Sequence, residues 1–515
     1  MSVRRIVPRI VPYLEGGLFL LILALAAYLR LANLADNPGW YTDEGANLMM
    51  AQSLAEGRVQ YMAINRSILL FARMPLFEGM LAALLRVFGG GIVTLRTFTG
   101  TLGLTTVPLS YWTIRRIQRG HDRVLPLLAA LAMAIYPAAV VYSRFGFTYN
   151  LLAPLILLVE LGLWEYMNAS RRGWLALAAI AVGLGMLSDV IFITLTLPVG
   201  LVVLWHNRRD VWWSLLLMAL PLGIYVGGML LADSAAFLFD LSFTLGRVGG
   251  RSLVEQIHTI GLNLRMMVEQ DVWVAPAIIG LFLLRPNRLA RLCLLLFLLP
   301  LVMMARTFPL YSLSRYYLIP LLPFVALGMA ALIRYGVPAV FSVIATTRPG
   351  HWRWAAGTLA FLVAWLVFSP LLSTTGLLVQ QVQTRFVTAI DPFLLDPHDC
   401  RLATDYVNAH SIPTDLVIAS PGLAWRIQAH TADFQMAVAE TGQDTPHVPG
   451  DLPPDRWAYD SRLEEARYVV VDNLWRAWAV PDVPGVAEML QTVQGWEVVF
   501  QSGEVTVYCR PADRP

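Results

Sequence analysis

Long apolar blocks recur from Gly17 to about Ser373, and beyond that point the pattern changes to short apolar runs among Asp, Pro, Gln and His. A helix needs roughly 20 mostly apolar residues to cross a hydrocarbon core. Blocks of that kind fall at 16–34, 93–114, 124–142, 150–167, 173–188, 190–205, 211–230, 272–284, 292–305, 316–333 and 354–373. They predict a polytopic α-helical membrane domain of about 11 transmembrane helices over residues 1–373, and a separate domain over 374–515. Arg4 and Arg5 precede the first block as they would in a signal peptide, but no small-residue cleavage site follows. It is therefore read as an uncleaved span.

Two connections are long, at about 35–92 and 231–271, and each has helical periodicity of its own. In the first, Ala46, Met50 and Leu54 form a stripe on a helix over Glu44–Arg58, and Pro75–Phe88 reads as a second helix stopped by Gly89-Gly90-Gly91. In the second, Leu253, Ile257, Ile260, Leu264 and Met267 mark one apolar face. Such helices suit the membrane interface. The tail predicts an α/β domain, with strands at Leu416–Ala419, Tyr468–Val471, Trp496–Phe500 and Val505–Tyr508, and helices at Asp399–Asn408 and Val486–Val493.

Composition agrees with a membrane protein: 57% of residues are hydrophobic and 14% charged. Charge placement adds orientation. Arg4, Arg5, Arg9, the 115–123 turn, Arg171 with Arg172, Arg208 with Arg209, the 285–291 turn, and Arg334, Arg348 and Arg353 all fall on one side of an eleven-span chain. The positive-inside rule makes that side cytoplasmic, so an odd span count puts the C-terminal domain outside a plasma (cytoplasmic) membrane. The net charge of +3 does not call for nucleic acid as a partner. Cys400 and Cys509 share the tail, where a disulfide is chemically permitted.

The string Trp40-Tyr41-Thr42-Asp43-Glu44-Gly45 carries the most chemistry. Two adjacent carboxylates just past the first span have two readings. Asp43 could cap the following helix while Glu44 favours the positive end of its dipole. Alternatively, one carboxylate could take a proton from an acceptor hydroxyl or bind a metal. Asp189 interrupts an apolar run and reads as a turn residue or a costly buried acid, and Asp472 reads as a loop cap.

The acidic pair is followed by Arg73-Met74-Pro75-Leu76, a Phe88-Gly89 turn, Thr94-Leu95-Arg96, Tyr142-Ser143-Arg144, Asn150 and Arg315-Tyr316-Tyr317-Leu318-Ile319-Pro320. In that order the set resembles the GT-C glycosyltransferases of the protein O-mannosyltransferase and aminoarabinose transferase superfamily. The resemblance implies a polyprenyl-phosphate sugar donor, a protein, lipid or glycan acceptor, and a site at the outer face of the bilayer. It implies Asp43 as catalytic carboxylate with Glu44 beside it. An anionic leaving group needs cations, and the candidates are Arg66, Arg73, Arg144, Arg247, Arg251 and Arg315, with Asn150 and Tyr316 as further substrate contacts. Met74 departs from the family pattern, since relatives often have a basic residue directly before this proline, and Asn150 stands where some carry an acid. No cofactor is indicated by a motif; a divalent metal is compatible, although no His/Asp/Glu spacing indicates one. The alternatives are a lipid-linked-sugar transporter or flippase, against which the lack of internal repeats argues, and an inactive membrane scaffold.

Overall fold

The computed structural model describes residues 7–66, 69–246, 252–307, 315–339, 342, 352–384 and 393–511. Its membrane part contains α1 (Val7–Leu31), α2 (Thr42–Ala55), α3 (Pro75–Phe88), α4 (Ile92–Ile117), α5 (Val124–Ile135), α6 (Pro137–Ser143), α7 (Tyr149–Ala169) and α8 (Arg172–Ser188). It continues with α9 (Thr196–His206), α10 (Val211–Gly246), α11 (Leu253–Gln270), α12 (Val274–Phe282), α13 (Asn287–Thr307), α14 (Leu322–Ala331) and α15 (Trp352–Gln383). Each of the eleven apolar blocks coincides with helical structure. Among the described residues, five helices are long and apolar enough to cross a bilayer, or six if the bent pair α5–α6 forms one span. The chain is a multi-pass membrane protein.

Local chemistry explains two breaks. Pro137 has no N–H to offer Met133, and the chain bends by 53° between α5 and α6. The carbonyls exposed there are taken by Arg30 of α1, whose Nη2 donates to Met133 (2.7 Å) and Nη1 to Ala134 (2.8 Å). In α10 the backbone leaves helical geometry at Asp233, yet the helix continues to Gly246. The long connection expected from residue 231 is therefore a kinked extension of the span, carried on by the apolar run around Phe237 and Leu238. The expected interfacial helix over 253–270 is present as α11, which packs on α13 and leaves Leu253 and Ile257 exposed.

The tail holds a mixed sheet. Its strands are β5 (Leu416–Ala419), β6 (His430–Ala432), β7 (Ala466–Val471), β8 (Glu497–Ser502) and β9 (Val505–Cys509), in the order β6-β5-β7-β9-β8. The first three are parallel and β9 runs antiparallel to β7. β6 was not evident in the sequence, being three residues long. Helices Pro397–His410 and Val486–Val493 match the expected pattern. Cys400 is buried, Cys509 is partly exposed, and both are free thiols. Asp472 caps the turn after β7, accepting from Leu474 N and Trp475 N.

The two parts are joined by built contacts. β1 (Trp40–Tyr41), directly before α2, pairs antiparallel with β4 (Leu394–Leu395), which follows the last membrane helix. The hairpin of β2 (Gln60–Tyr61) and β3 (Ile64–Asn65) bridges to Trp457. Arg456 makes a buried two-pronged ion pair with Asp240 of α10, both contacts at 3.0 Å. At Gly45 of α2 the backbones of the two parts abut: an added Cβ would lie 1.8 Å from the Pro421 carbonyl oxygen, so only glycine fits.

Candidate active site

The adjacent acids at the start of α2 face different surroundings. Tyr41 is the N-cap, so Asp43 and Glu44 lie inside the first turn, and the cap reading of Asp43 is corrected. Glu44 reaches back to accept from Tyr41 N, the N3-to-N-cap half of a capping box. It is fully buried and receives Arg96 Nε (2.8 Å), Arg96 Nη2 (2.6 Å) and the backbone N–H of Gly146 (2.9 Å). Arg96 spends its remaining donors on the carbonyls of Leu34, Pro38 and Gly39. The pair thus ties α4, the turn after α1 and the 144–148 loop to the first turn of α2.

Asp43 points the other way. Its side chain is 37% exposed and accepts from Nη2 of Arg73 at 2.7 Å. Arg73, in the turn before α3, is 15% exposed. Burial works against its charge, but Asp43 and then Glu78 sustain it, and the net shift is upward. Behind them lies Glu78 of α3, fully buried, with neither oxygen hydrogen-bonded among the described residues. Burial, opposed by Arg73 and reinforced by Asp189 and Asp43, pushes its carboxyl up to about 8. Asp189 caps the turn after α8, accepting from Ile191 N (2.9 Å) and Thr148 Oγ1 (3.1 Å), and desolvation raises it as well.

An aromatic wall closes one side. Tyr316 stacks on Phe147 (5.1 Å between centroids) and Tyr149 (6.1 Å), while Tyr317 meets Tyr149 edge-on at 5.3 Å. Tyr41 packs against Phe145 and Phe147. Asn150 donates to the carbonyls of Tyr142, Phe145 and Phe147, fixing the loop that carries the wall.

The arginines separate by geometry. Arg73 stands beside Asp43. Arg144 is buried and donates to the Leu29 carbonyl in the last turn of α1, which a helix C-terminus leaves unpaired, and to the Ala32, Asn33 and Asn37 carbonyls of the connection that follows. Arg66 links Asp233 to Asp455 of the C-terminal domain. Arg247, Arg251 and the Arg315 side chain lie outside the described residues. Glu78 was not singled out from sequence, although a signal existed: it shares the buried face of Phe77, Leu81, Ala82 and Leu85. α2 itself is more enclosed than an interfacial helix, since it packs against α3, α4 and the Pro421–Ala424 segment. Among the described residues, no group of three or more His, Cys, Asp or Glu side chains is arranged to hold a metal ion.

The fold is of the GT-C type, as in ArnT and the archaeal oligosaccharyltransferase AglB. Residues 82–245 match the family model for dolichyl-phosphate-mannose-protein mannosyltransferase. The structure is similar to that of ArnT from Cupriavidus metallidurans bound to undecaprenyl phosphate, with a TM-score of 0.64 at 14% identity, covering 97% of this chain and 98% of that one. The same protein in the apo state gives 0.61 at 16% identity, with 96% and 97% covered. The archaeal oligosaccharyltransferase AglB from Archaeoglobus fulgidus, in complex with an inhibitory peptide and a dolichol-phosphate, gives 0.52 at 12% identity, with 98% and 75% covered. No curated protein matches the chain by sequence.

Proposed function

We propose that this protein is a glycosyltransferase that moves a monosaccharide from a polyprenyl-phosphate-linked donor to an acceptor hydroxyl on the non-cytoplasmic face of the membrane. The observation that carries the reading is the Asp43–Arg73 pair: a partly exposed carboxylate held by a cation, on a helix overlain by the C-terminal domain. Asp43 accepts the hydroxyl proton as the acceptor oxygen bonds to the anomeric carbon. The bond from that carbon to the phosphate oxygen breaks, and its electron pair leaves with the polyprenyl phosphate. Attack opposite the leaving group inverts the anomeric centre. Arg73 offsets the charge on the phosphate. Glu44 has no free oxygen for substrate and acts by holding the first turn of α2. The membrane relative in complex with undecaprenyl phosphate supports a lipid-phosphate donor, and the arginine-rich turns support the orientation.

The test is sugar release and transfer from radiolabelled polyprenyl-phosphate sugars by the purified chain. Asp43→Asn should retain lipid-phosphate binding and lose about 10²–10⁴-fold in turnover. Equal turnover by the variant and wild type would remove Asp43 from the chemistry.

A further inference from the structure

Arg73 and Glu78 are complementary groups that do not pair. Arg73 Nε is buried without a hydrogen-bond partner among the described residues, and so are both oxygens of Glu78, even though the guanidinium charge acts on that carboxyl. An ionised carboxylate in such a place would take the nearest N–H. Arg73 pairs with Asp43, and Glu78 lies in the first turn of α3 within reach of both charges, where the proposed function puts the donor phosphate.

We propose that Glu78 is a positioning residue for the donor, a buried carboxyl held in its protonated form so that the Arg73 guanidinium and the Glu78 hydroxyl together receive a lipid phosphodiester. This inference rests on the lipid-phosphate reading of the same site. A protonated carboxyl donates one hydrogen bond; an ionised one only accepts, and would repel the phosphate. The charges facing Glu78 are few. Arg73 comes from the turn before α3, Asp43 from α2 and Asp189 from the end of α8. α4, which also packs on α3, brings Arg96, whose charge is already bound to Glu44. With Glu78 neutral, Arg73 balances Asp43 and the phosphodiester meets no additional anion from α3. With Glu78 ionised, the same pocket gains a full negative charge in a dry setting. The direction fits the upward displacement of this carboxyl to about 8. Donor binding should therefore weaken as pH rises through that value.

Two readouts on the full chain in lipid nanodiscs test this. The first is the infrared difference spectrum of wild type minus Glu78→Gln. A protonated-carboxyl carbonyl band should be present at neutral pH and fade as pH passes about 8. The second is binding of a fluorescent polyprenyl methyl phosphate diester, whose single charge is constant across this range. Wild type should bind about tenfold more weakly at high pH, the size of one unit of carboxylate–phosphate coupling. Glu78→Gln should bind as wild type does at neutral pH and show a flat profile. Absence of the band at neutral pH would overturn the protonated carboxyl whatever the lipid does. Parallel pH profiles in the two proteins would overturn its role toward the phosphate. Absence of binding by both at every pH would overturn the lipid-phosphate reading and the positioning role with it, while the infrared band separately reports the state of the carboxyl.

Discussion

Replacing Arg96 with Met should open the first turn of α2 without touching any residue that meets substrate. The substitution removes five hydrogen bonds: two to Glu44 and one each to the carbonyls of Leu34, Pro38 and Gly39, with one terminal nitrogen serving Leu34 and Pro38 together. It leaves Glu44 fully buried with only the amides of Tyr41 and Gly146 as donors. Breaking a buried pair by removing one partner costs about 3–5 kcal/mol. That is about 10²- to 5 × 10³-fold in the local opening equilibrium. The assay is hydrogen exchange read by mass spectrometry over peptides spanning 34–48 and 141–150. Both should exchange faster by about that factor, because the Tyr41 and Gly146 amides depend on the carboxylate that Arg96 holds. Arg96→Lys should fall between, since an ammonium lacks the fork that spans two carboxylate oxygens. Unchanged exchange in both peptides of Arg96→Met would refute the assignment of this pair as the fastening of the site.

Gly45→Ala should separate the C-terminal domain from α2, because the new methyl would overlap the Pro421 carbonyl; transfer should fall at least tenfold, and limited proteolysis should cut the segment around Pro421 faster. Asp240→Asn leaves the buried Arg456 without its charged partner, and a loss of about 3–5 kcal/mol should appear as a lower thermal midpoint in detergent, with Arg456→Met/Asp240→Leu recovering part of it. Burial, opposed chiefly by Ser420, raises Asp472 from 3.8 to about 6, so the proton it takes up on folding stabilises the domain fully below pH 3.8, and that contribution disappears as pH rises through about 6. Asp472→Asn should accordingly flatten the pH dependence of thermal stability in that window, and an unchanged slope would assign it to another group.

The membrane helices were legible because each buries or exposes apolar surface over its full length, and the apolar blocks report that directly. The break at Pro137 has a local cause, but the satisfaction of the carbonyls it frees was not legible, since that comes from Arg30 on a helix a hundred residues earlier. The acidic pair could be seen in the string at 43–44, but the division of labour between its members could not. It is set by Arg96 on one side and Arg73 on the other, and neither is a sequence neighbour. Arg144 shows the same limit in reverse: an arginine at the end of a span suggests a phosphate ligand, while in the fold its donors complete the end of α1. Glu78 lay on an apolar helix face in plain view, and an acid among Phe77, Leu81 and Leu85 is the kind of local inconsistency that marks a functional position.

The short ladder between β1 and β4 joins the segment leading into Asp43 to a strand made about 350 residues later. At a ribosomal pace of roughly 5–20 residues per second, the acidic turn waits ~20–70 s for its partner strand. Throughout that interval the early helices sit in the bilayer without the ladder, the Pro421 abutment or the Arg456 clasp. A nascent or prematurely terminated chain thus lacks the contacts that hold the acidic turn, and the transfer proposed for this site would be deferred until biosynthesis has reached the last domain.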